Sequence, residues 1–160
     1  YVRMQIIDVR RRRIPDTDDV RHIAVLREID GARWMLIWIG IAEALAMTMM
    51  LEQVPSPRPL TYALTAELVH ASGGQLREVR IDRLEENVFY ATIVLASAGG
   101  EHTIDARPSD ALNLALTVGA PIRVAEAVLA ALQADDPPAD LVVLHEETEG
   151  RDAIMASIAA

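Results

Sequence analysis

Two carboxylates, a guanidinium and a hydroxyl fall within six residues at Asp105-Ala106-Arg107-Pro108-Ser109-Asp110. The run follows a strand-like stretch, His102-Thr103-Ile104, and opens a helix-like one, Ala111 to Leu116. A strand end feeding a helix start leaves backbone N–H groups unpaired, and an anion can dock there. Pro57-Arg58-Pro59-Leu60-Thr61 also leads into an apolar helical pattern. Two Arg-Pro helix entrances in one small chain point to an anionic ligand such as a phosphodiester.

Each candidate has two readings. Asp105 and Asp110 offer hard oxygen ligands for a divalent cation, magnesium or manganese, that would bridge to phosphate. Alternatively, Asp110 complements the dipole of the helix it opens and Asp105 pairs with an arginine. Arg58 and Arg107 precede prolines and are biased toward extended backbone. They read as a phosphate clamp or as structural salt bridges. Ser109 and Thr61 read as helix N-caps, and for Ser109 no general base that would make it a nucleophile is close in sequence. Glu43 and Glu52 share one predicted helix. Nine residues at roughly 100° each put them on opposite faces, so they do not serve one small site together. His22, His70, His102 and His145 show no metal-pair spacing. No P-loop, dinucleotide glycine fingerprint or nucleophile elbow is present.

The chain has 160 residues, 51% of them hydrophobic, enough for one compact domain with a real core. Its apolar run from Met35 to Met50 is too short and too interrupted to span a membrane. No signal-peptide pattern is seen, and the chain opens on Tyr1, so its true start is expected upstream. Cysteine is absent, which fits a reducing cytoplasm. All 15 basic residues are Arg, against 24 acids, for a net charge of −9. An acidic chain lacks the broad positive field of a general nucleic-acid binder, so DNA or RNA contact needs a local patch. Arg10-Arg11-Arg12-Arg13 is the candidate, the alternative being a solvated strand end. Residues 1–33 carry 8 Arg against 6 acids, whereas residues 134–160 carry 1 against 7.

The elements that must position these groups follow from periodicity. Val2, Met4 and Ile6 alternate with polar residues as in a half-buried strand. His22 to Ile29 and Trp34 to Ile39 flank an Asp30-Gly31 turn, giving a three-stranded meander. Trp34 and Trp38, four apart on one strand, face the same side, in a core or a subunit interface. Ile41 to Val54 favours helix, with Met47, Met49 and Met50 as core or interface filling. A second helix runs from about Tyr62 to Ala71. Strands follow at Leu76 to Leu84, Val88 to Ala96 and Glu101 to Ala106. A helix from about Ser109 to Val118 stops at Gly119, then a short strand (Ile122 to Val124) and a helix (Glu126 to Leu132) follow. Asp135-Asp136-Pro137-Pro138 marks a boundary, so residues 1–133 form the domain and 134–160 an acidic tail. That tail reads as a partly ordered segment, or as a short strand (Leu141 to Leu144) and a helix (Ala153 to Ala159). Strands grouped together with helices between the groups indicate an α+β fold with a mixed, largely antiparallel sheet.

These residues together resemble the bifunctional nuclease family, long classed as a domain of unknown function. The resemblance rests on Ile37-Trp38-Ile39-Gly40, Glu43-Ala44, Leu51-Glu52, Pro57 to Thr61, Phe89-Tyr90-Ala91, Ile104 to Ala111 and Ala120-Pro121-Ile122. It covers roughly residues 2 to 132 and implies a compact α+β fold, homodimers and a nuclease activity on DNA and RNA. Two positions depart from it. Where the family usually reads Leu-Thr-His-Asp, this chain has Leu60-Thr61-Tyr62-Ala63, and Asp-Gly-Thr before Phe-Tyr is Glu86-Asn87-Val88. Tyr and Ala do not supply the general base or ligand that His and Asp supply at neutral pH.

Two functions are therefore expected to compete. One is a metal-assisted nuclease, with Arg58, Arg107, Ser109 and Thr61 holding substrate, Asp105 and Asp110 holding the cation, and Glu43 or Glu52 assisting. The other is a non-catalytic homodimeric domain that uses the same anion-binding surface without hydrolysis.

Overall fold

A computed structural model describes residues 1–132. Three strands open the chain, β1 (Val2–Arg13), β2 (Val20–Glu28) and β3 (Trp34–Ile39). Two helices follow, α1 (Ile41–Leu51) and α2 (Thr61–Ala71). A second meander, β4 (Gln75–Glu85), β5 (Val88–Ser97) and β6 (Gly100–Ala106), leads into α3 (Pro108–Val118). The short strand β7 (Ile122–Val124) and helix α4 (Glu126–Leu132) complete the described part. The tail expected over 134–160, with its strand and helix, lies outside the described residues.

The seven strands form one sheet in the order β3-β2-β1-β7-β4-β5-β6. Every neighbouring pair is antiparallel except β4 with β7. This is the α+β, mixed and largely antiparallel architecture that the grouping of strands predicts. Each meander turns where the sequence provides the backbone for it. Glu86 and Asn87 both adopt positive φ, 48° and 63°, as a two-residue hairpin of matching twist requires.

Side chains alternate across a strand, so the register assigns each residue to a face. Met4, Ile6, Leu26, Met35, Val79, Ile81, Ile93, Ile122 and Val124 point to one face and are buried beneath the helices. Leu112 and Ala115 of α3, Met47 of α1 and Leu129 of α4 close this core from above. Among the described residues the other face carries no helix. Trp34 and Trp38 stand there, on the same side as expected but outside the core, and Trp38 is 47% exposed. Their strand lies at the sheet edge with its other face, Met35 and Ile37, turned to the helices, which fixes the indoles outward.

Both expected serine and threonine caps are corrected. Arg107 is the N-cap of α3, with Pro108 in its first turn and Ser109 buried inside the helix. Leu60 is the N-cap of α2, and Thr61 is its first residue. Neither helix has a side-chain cap. Pro108 fits the start of α3 because its fixed φ is helical and it has no N–H to satisfy. Gly119, at φ 69°, supplies the left-handed residue that ends α3. Among the described residues no helix is long and apolar enough to cross a membrane.

Candidate functional site

The site forms where α3 leaves β6 and meets the start of α1. Arg107 is the hinge residue, extended at φ −66° and ψ 142° as the following proline favours. Its Nε donates to Asp110 Oδ2 at 2.7 Å and its Nη2 to Asp110 Oδ1 at 3.0 Å. The same Nη2 donates to Glu43 Oε1 at 2.7 Å. One guanidinium thus joins a carboxylate three residues ahead to one 64 residues back. Bidentate pairing of this kind is the strong form of the arginine–carboxylate contact. The Arg107 side chain is 65% exposed, while those of Glu43 and Asp110 are 15% and 31% exposed. A largely exposed cation therefore rests on two more protected acids.

Tyr62 of α2 completes the cluster, its hydroxyl donating to Asp110 Oδ1 at 2.7 Å. Burial and this bond to a carboxylate push the Tyr62 phenol well above its ordinary range. It is a donor that fixes Asp110 and not a base at neutral pH. Burial alone would raise Asp110. The hydrogen bonds from Arg107 and Tyr62 outweigh it and hold the carboxyl below its ordinary value. The two carboxylates raise Arg107 in turn.

Asn113, one turn further along α3 and fully buried, locks the frame. Its Nδ2 donates to the Glu43 carbonyl at 3.1 Å and to the Ser109 carbonyl at 3.0 Å. Asn113 Oδ1 is buried without a partner among the described residues. Gly40, the N-cap of α1, lies under Glu43, and a methyl group there would overlap the Glu43 carboxylate. Asn113 and Gly40 are the residues that the sequence reading missed. Gly40 sits in the quoted Ile37 to Gly40 segment, but its role depends on a carboxylate that folds back over it. Asn113 lies in an apolar run and gives no local signal.

The structure brings Arg107, Asp110 and Glu43 together from the expected set. Ser109 contributes its carbonyl to the frame. Asp105 lies on β6 opposite Thr92, on the helix-free face, whereas Asp110 lies above the helix-covered one. Among the described residues no three His, Asp or Glu side chains come together as cation ligands. Both Asp110 oxygens are already bonded to Arg107. As they stand, these residues do not fit a shared cation. The start of α3 also has fewer open donors than the sequence suggests. Pro108 has no N–H, and the Asp110 N–H donates to the Arg107 carbonyl at 3.1 Å. Of the groups at this entrance, the guanidinium is the one whose chemistry suits an anion.

Arg58 belongs to a neighbouring feature. It lies on an exposed loop, its carbonyl accepting from Ser56 Oγ, and lines an apolar groove of about 990 Å³. That groove runs between α2, the end of α1 and the β5–β6 part of the sheet, with Met50, Leu60, Ile104 and Val118 along it. Tyr62 lines the groove and reaches Asp110, so it connects the two features. Thr61 opens α2 beside it, its carbonyl accepting from Thr65 Oγ1. Glu52 caps the far end of α1, away from Glu43.

Among the described residues, an open seven-stranded α+β sheet with four helices on one face, carrying an arginine–carboxylate cluster where its last meander enters a helix, defines the class of this protein. The profile of the bifunctional nuclease domain family matches residues 24–136, and the chain belongs to that family. Two uncharacterized proteins of Mycobacterium tuberculosis are 45% identical over 108 residues, which is 68% of this chain and 64% of theirs. Bifunctional nuclease 1 of Oryza sativa subsp. indica is 29% identical over 112 residues, 67% of this chain and 34% of its own length. Bifunctional nuclease 1 of Arabidopsis thaliana is 28% identical over a similar span. The chain thus spans 64% of its mycobacterial relatives and about a third of the plant nucleases.

Proposed function

We propose that this protein is a nuclease that hydrolyses phosphodiester bonds of DNA or RNA, with Arg107 as the residue that holds the phosphate. The observation that carries the reading is an exposed guanidinium at a helix entrance, oriented by Glu43 and Asp110. Its Nε and Nη2 are committed to those acids, and Nη1 makes no hydrogen bond among the described residues. That edge suits a phosphate oxygen. Glu43 accepts from Arg107 through Oε1, so Oε2 is the oxygen suited to orient an attacking water. Family membership and the plant relatives named bifunctional nucleases support the activity. Arg58 at the rim of the adjoining groove extends the binding surface along the substrate.

A second reading, a non-catalytic binding or regulatory domain, is favoured by Tyr62. It stands where the family usually has His, and it is an unsuitable proton acceptor. Either reading includes a homodimer through α2. No α2 residue is fully buried, and Leu64 and Leu68 are 52% and 59% exposed on it. A patch of that kind on a helix is characteristic of a partner surface. The cysteine-free composition suits a cytoplasmic setting.

The test is cleavage of labelled single-stranded DNA and RNA by the purified chain with magnesium, with manganese and with chelator. Arg107→Ala, Glu43→Gln and Asp105→Ala are run in parallel. Cleavage lost in Arg107→Ala and Glu43→Gln supports the nuclease at this site. Dependence on Asp105 would move the chemistry toward the other face and a cation. Absence of cleavage in every arm supports the binding domain. Light scattering of the wild type and Leu64→Glu tests the dimer.

A further inference from the structure

The helix-free face of the sheet holds most of the aromatic chemistry of this chain. The sequence has 2 Trp, 3 Tyr and 1 Phe. By register, Trp34, Trp38, Tyr1 and Tyr90 all stand on this face. Each is covered by an arginine of the same face. The guanidinium of Arg21 lies 5.7 Å from the centre of the Trp38 ring and that of Arg27 lies 5.4 Å from Trp34. Arg80 over Tyr1 and Arg83 over Tyr90 repeat the arrangement at 5.5 and 3.9 Å. Ile23 and Val25 are buried beneath this layer, although none of the described helices covers them.

Charge divides the face in two. The β4–β6 half sets Glu78, Asp82 and Asp105 among its arginines, and Glu78 bonds both Arg80 and Arg123. The β1–β3 half presents Arg3, Arg10, Arg12, Arg21 and Arg27 against one acid, Asp8, by the same alternation. An acidic chain thus concentrates positive charge on one half of one face, together with its only two tryptophans. Trp34 and Trp38 stand roughly 13 Å apart along β3 at the strand rise.

We infer that this half of the open face binds single-stranded nucleic acid, with bases stacked against Trp34 and Trp38 and phosphates on Arg3, Arg21 and Arg27. Flat aromatic rings interleaved with arginines on an exposed sheet are the arrangement that unpaired bases and their backbone require. A second copy of the chain is a poorer occupant, because a face-to-face contact would set arginine against arginine. The acids of the β4–β6 half keep the polyanion on β1–β3. The surface is separate from the Arg107 cluster, and binding there does not depend on the hydrolysis proposed above.

The two tryptophans make the surface its own reporter. The full chain is titrated with a 12-nucleotide oligothymidylate in chelator, following intrinsic tryptophan fluorescence and the anisotropy of a labelled oligonucleotide. Saturable quenching at low salt is expected, weakening several-fold between about 50 and 200 mM salt. Trp38→Ala should weaken binding at least 5-fold, an order-of-magnitude expectation for one lost stacking partner. The Arg21→Ala, Arg27→Ala double variant should also lower the salt slope by about 1.4. Trp38 and Arg21 are exposed, and a thermal melt of each variant verifies the fold. Absence of quenching at low salt overturns the inference. So does unchanged affinity in these variants, equal affinity for blunt duplex, or a mass that doubles with concentration and reverts in Trp38→Ala. Binding in chelator without cleavage in any metal removes the nuclease reading and leaves this one standing. Cleavage with unchanged kinetics in the Trp38→Ala chain does the reverse.

Discussion

The Tyr62 hydroxyl donates to Asp110 Oδ1 at 2.7 Å across 48 residues of sequence, and this bond ties α2 to the entrance of α3. It is formed by the residue at which the chain departs from its family's usual histidine. Tyr62→Phe removes only the hydroxyl and should cost about 1 kcal/mol of stability. Equilibrium denaturation in urea measures it as a lower midpoint with an unchanged slope. Tyr62→His should restore a titratable base beside Asp110. If the histidine matters to the family's chemistry, cleavage should rise in that variant.

Arg107→Ala leaves Glu43 and Asp110 adjacent without their shared cation. Because Arg107 is mostly solvent-exposed, the expected loss is modest, about 1–2 kcal/mol. Arg107→Lys should recover little of it, since an ammonium does not reproduce the fork that reaches both Asp110 oxygens and Glu43. Denaturation of the three proteins side by side checks the order wild type, then Lys, then Ala.

Asp110 gives the pH dependence a definite sign. Its folded carboxyl lies below its unfolded value because Arg107 and Tyr62 outweigh burial. Its contribution is therefore fully present above the unfolded value, about pH 4. It is lost as pH falls through the lower folded value. Asp110→Asn should melt below the wild type at pH 7, and the gap should close in strong acid. A thermal melt series from pH 7 to pH 2 follows both.

Asn113→Ala removes the donor that joins α3 to the Glu43 carbonyl and the one that serves the Ser109 carbonyl within α3, and it opens a void in a fully buried position. A loss of about 2–4 kcal/mol is expected from unsatisfied carbonyls and the cavity together. Gly40→Ala acts on the same carboxylate from below by displacing Glu43. Its effect should shrink in a Glu43→Ala background, where no long side chain folds back over residue 40, and a double-mutant cycle reads that coupling.

The strands were legible because their alternation is local. Met4 and Ile6, or Met35 and Ile37, announce one buried face without any knowledge of what covers it. The caps were not. Ser109 and Thr61 have the right chemistry for N-caps, but the prolines at 108 and 59 set the chain direction one or two residues earlier. Arg107 and Asp110 could be paired by spacing, being three apart on a helix entrance. The contribution of Glu43, and the separation of Asp105 from Asp110, depend on how two meanders are docked. The tryptophans stand outside the core for a similar reason. An amphipathic strand shows which residues share a side, but not which side the helices will take.

The three-residue strand β7 occupies the middle of the sheet, between β1 and β4. Among the described residues it is the only element that pairs with both meanders, and it is translated after both of them. Each meander consists of neighbouring strands and closes early. The seam between them is closed by Ile122 to Val124, which pair with β1 on one side and β4 on the other. The β1–β7 pairing, from Val2 to Val124, is the most non-local in the sheet, and non-local pairing carries the largest loop-closure cost. A growing chain that stops short of residue 122 carries two exposed edges facing each other. Unpaired edges of that kind are open to strand exchange with another chain, so β7 is the latch that pairs the two meanders with each other.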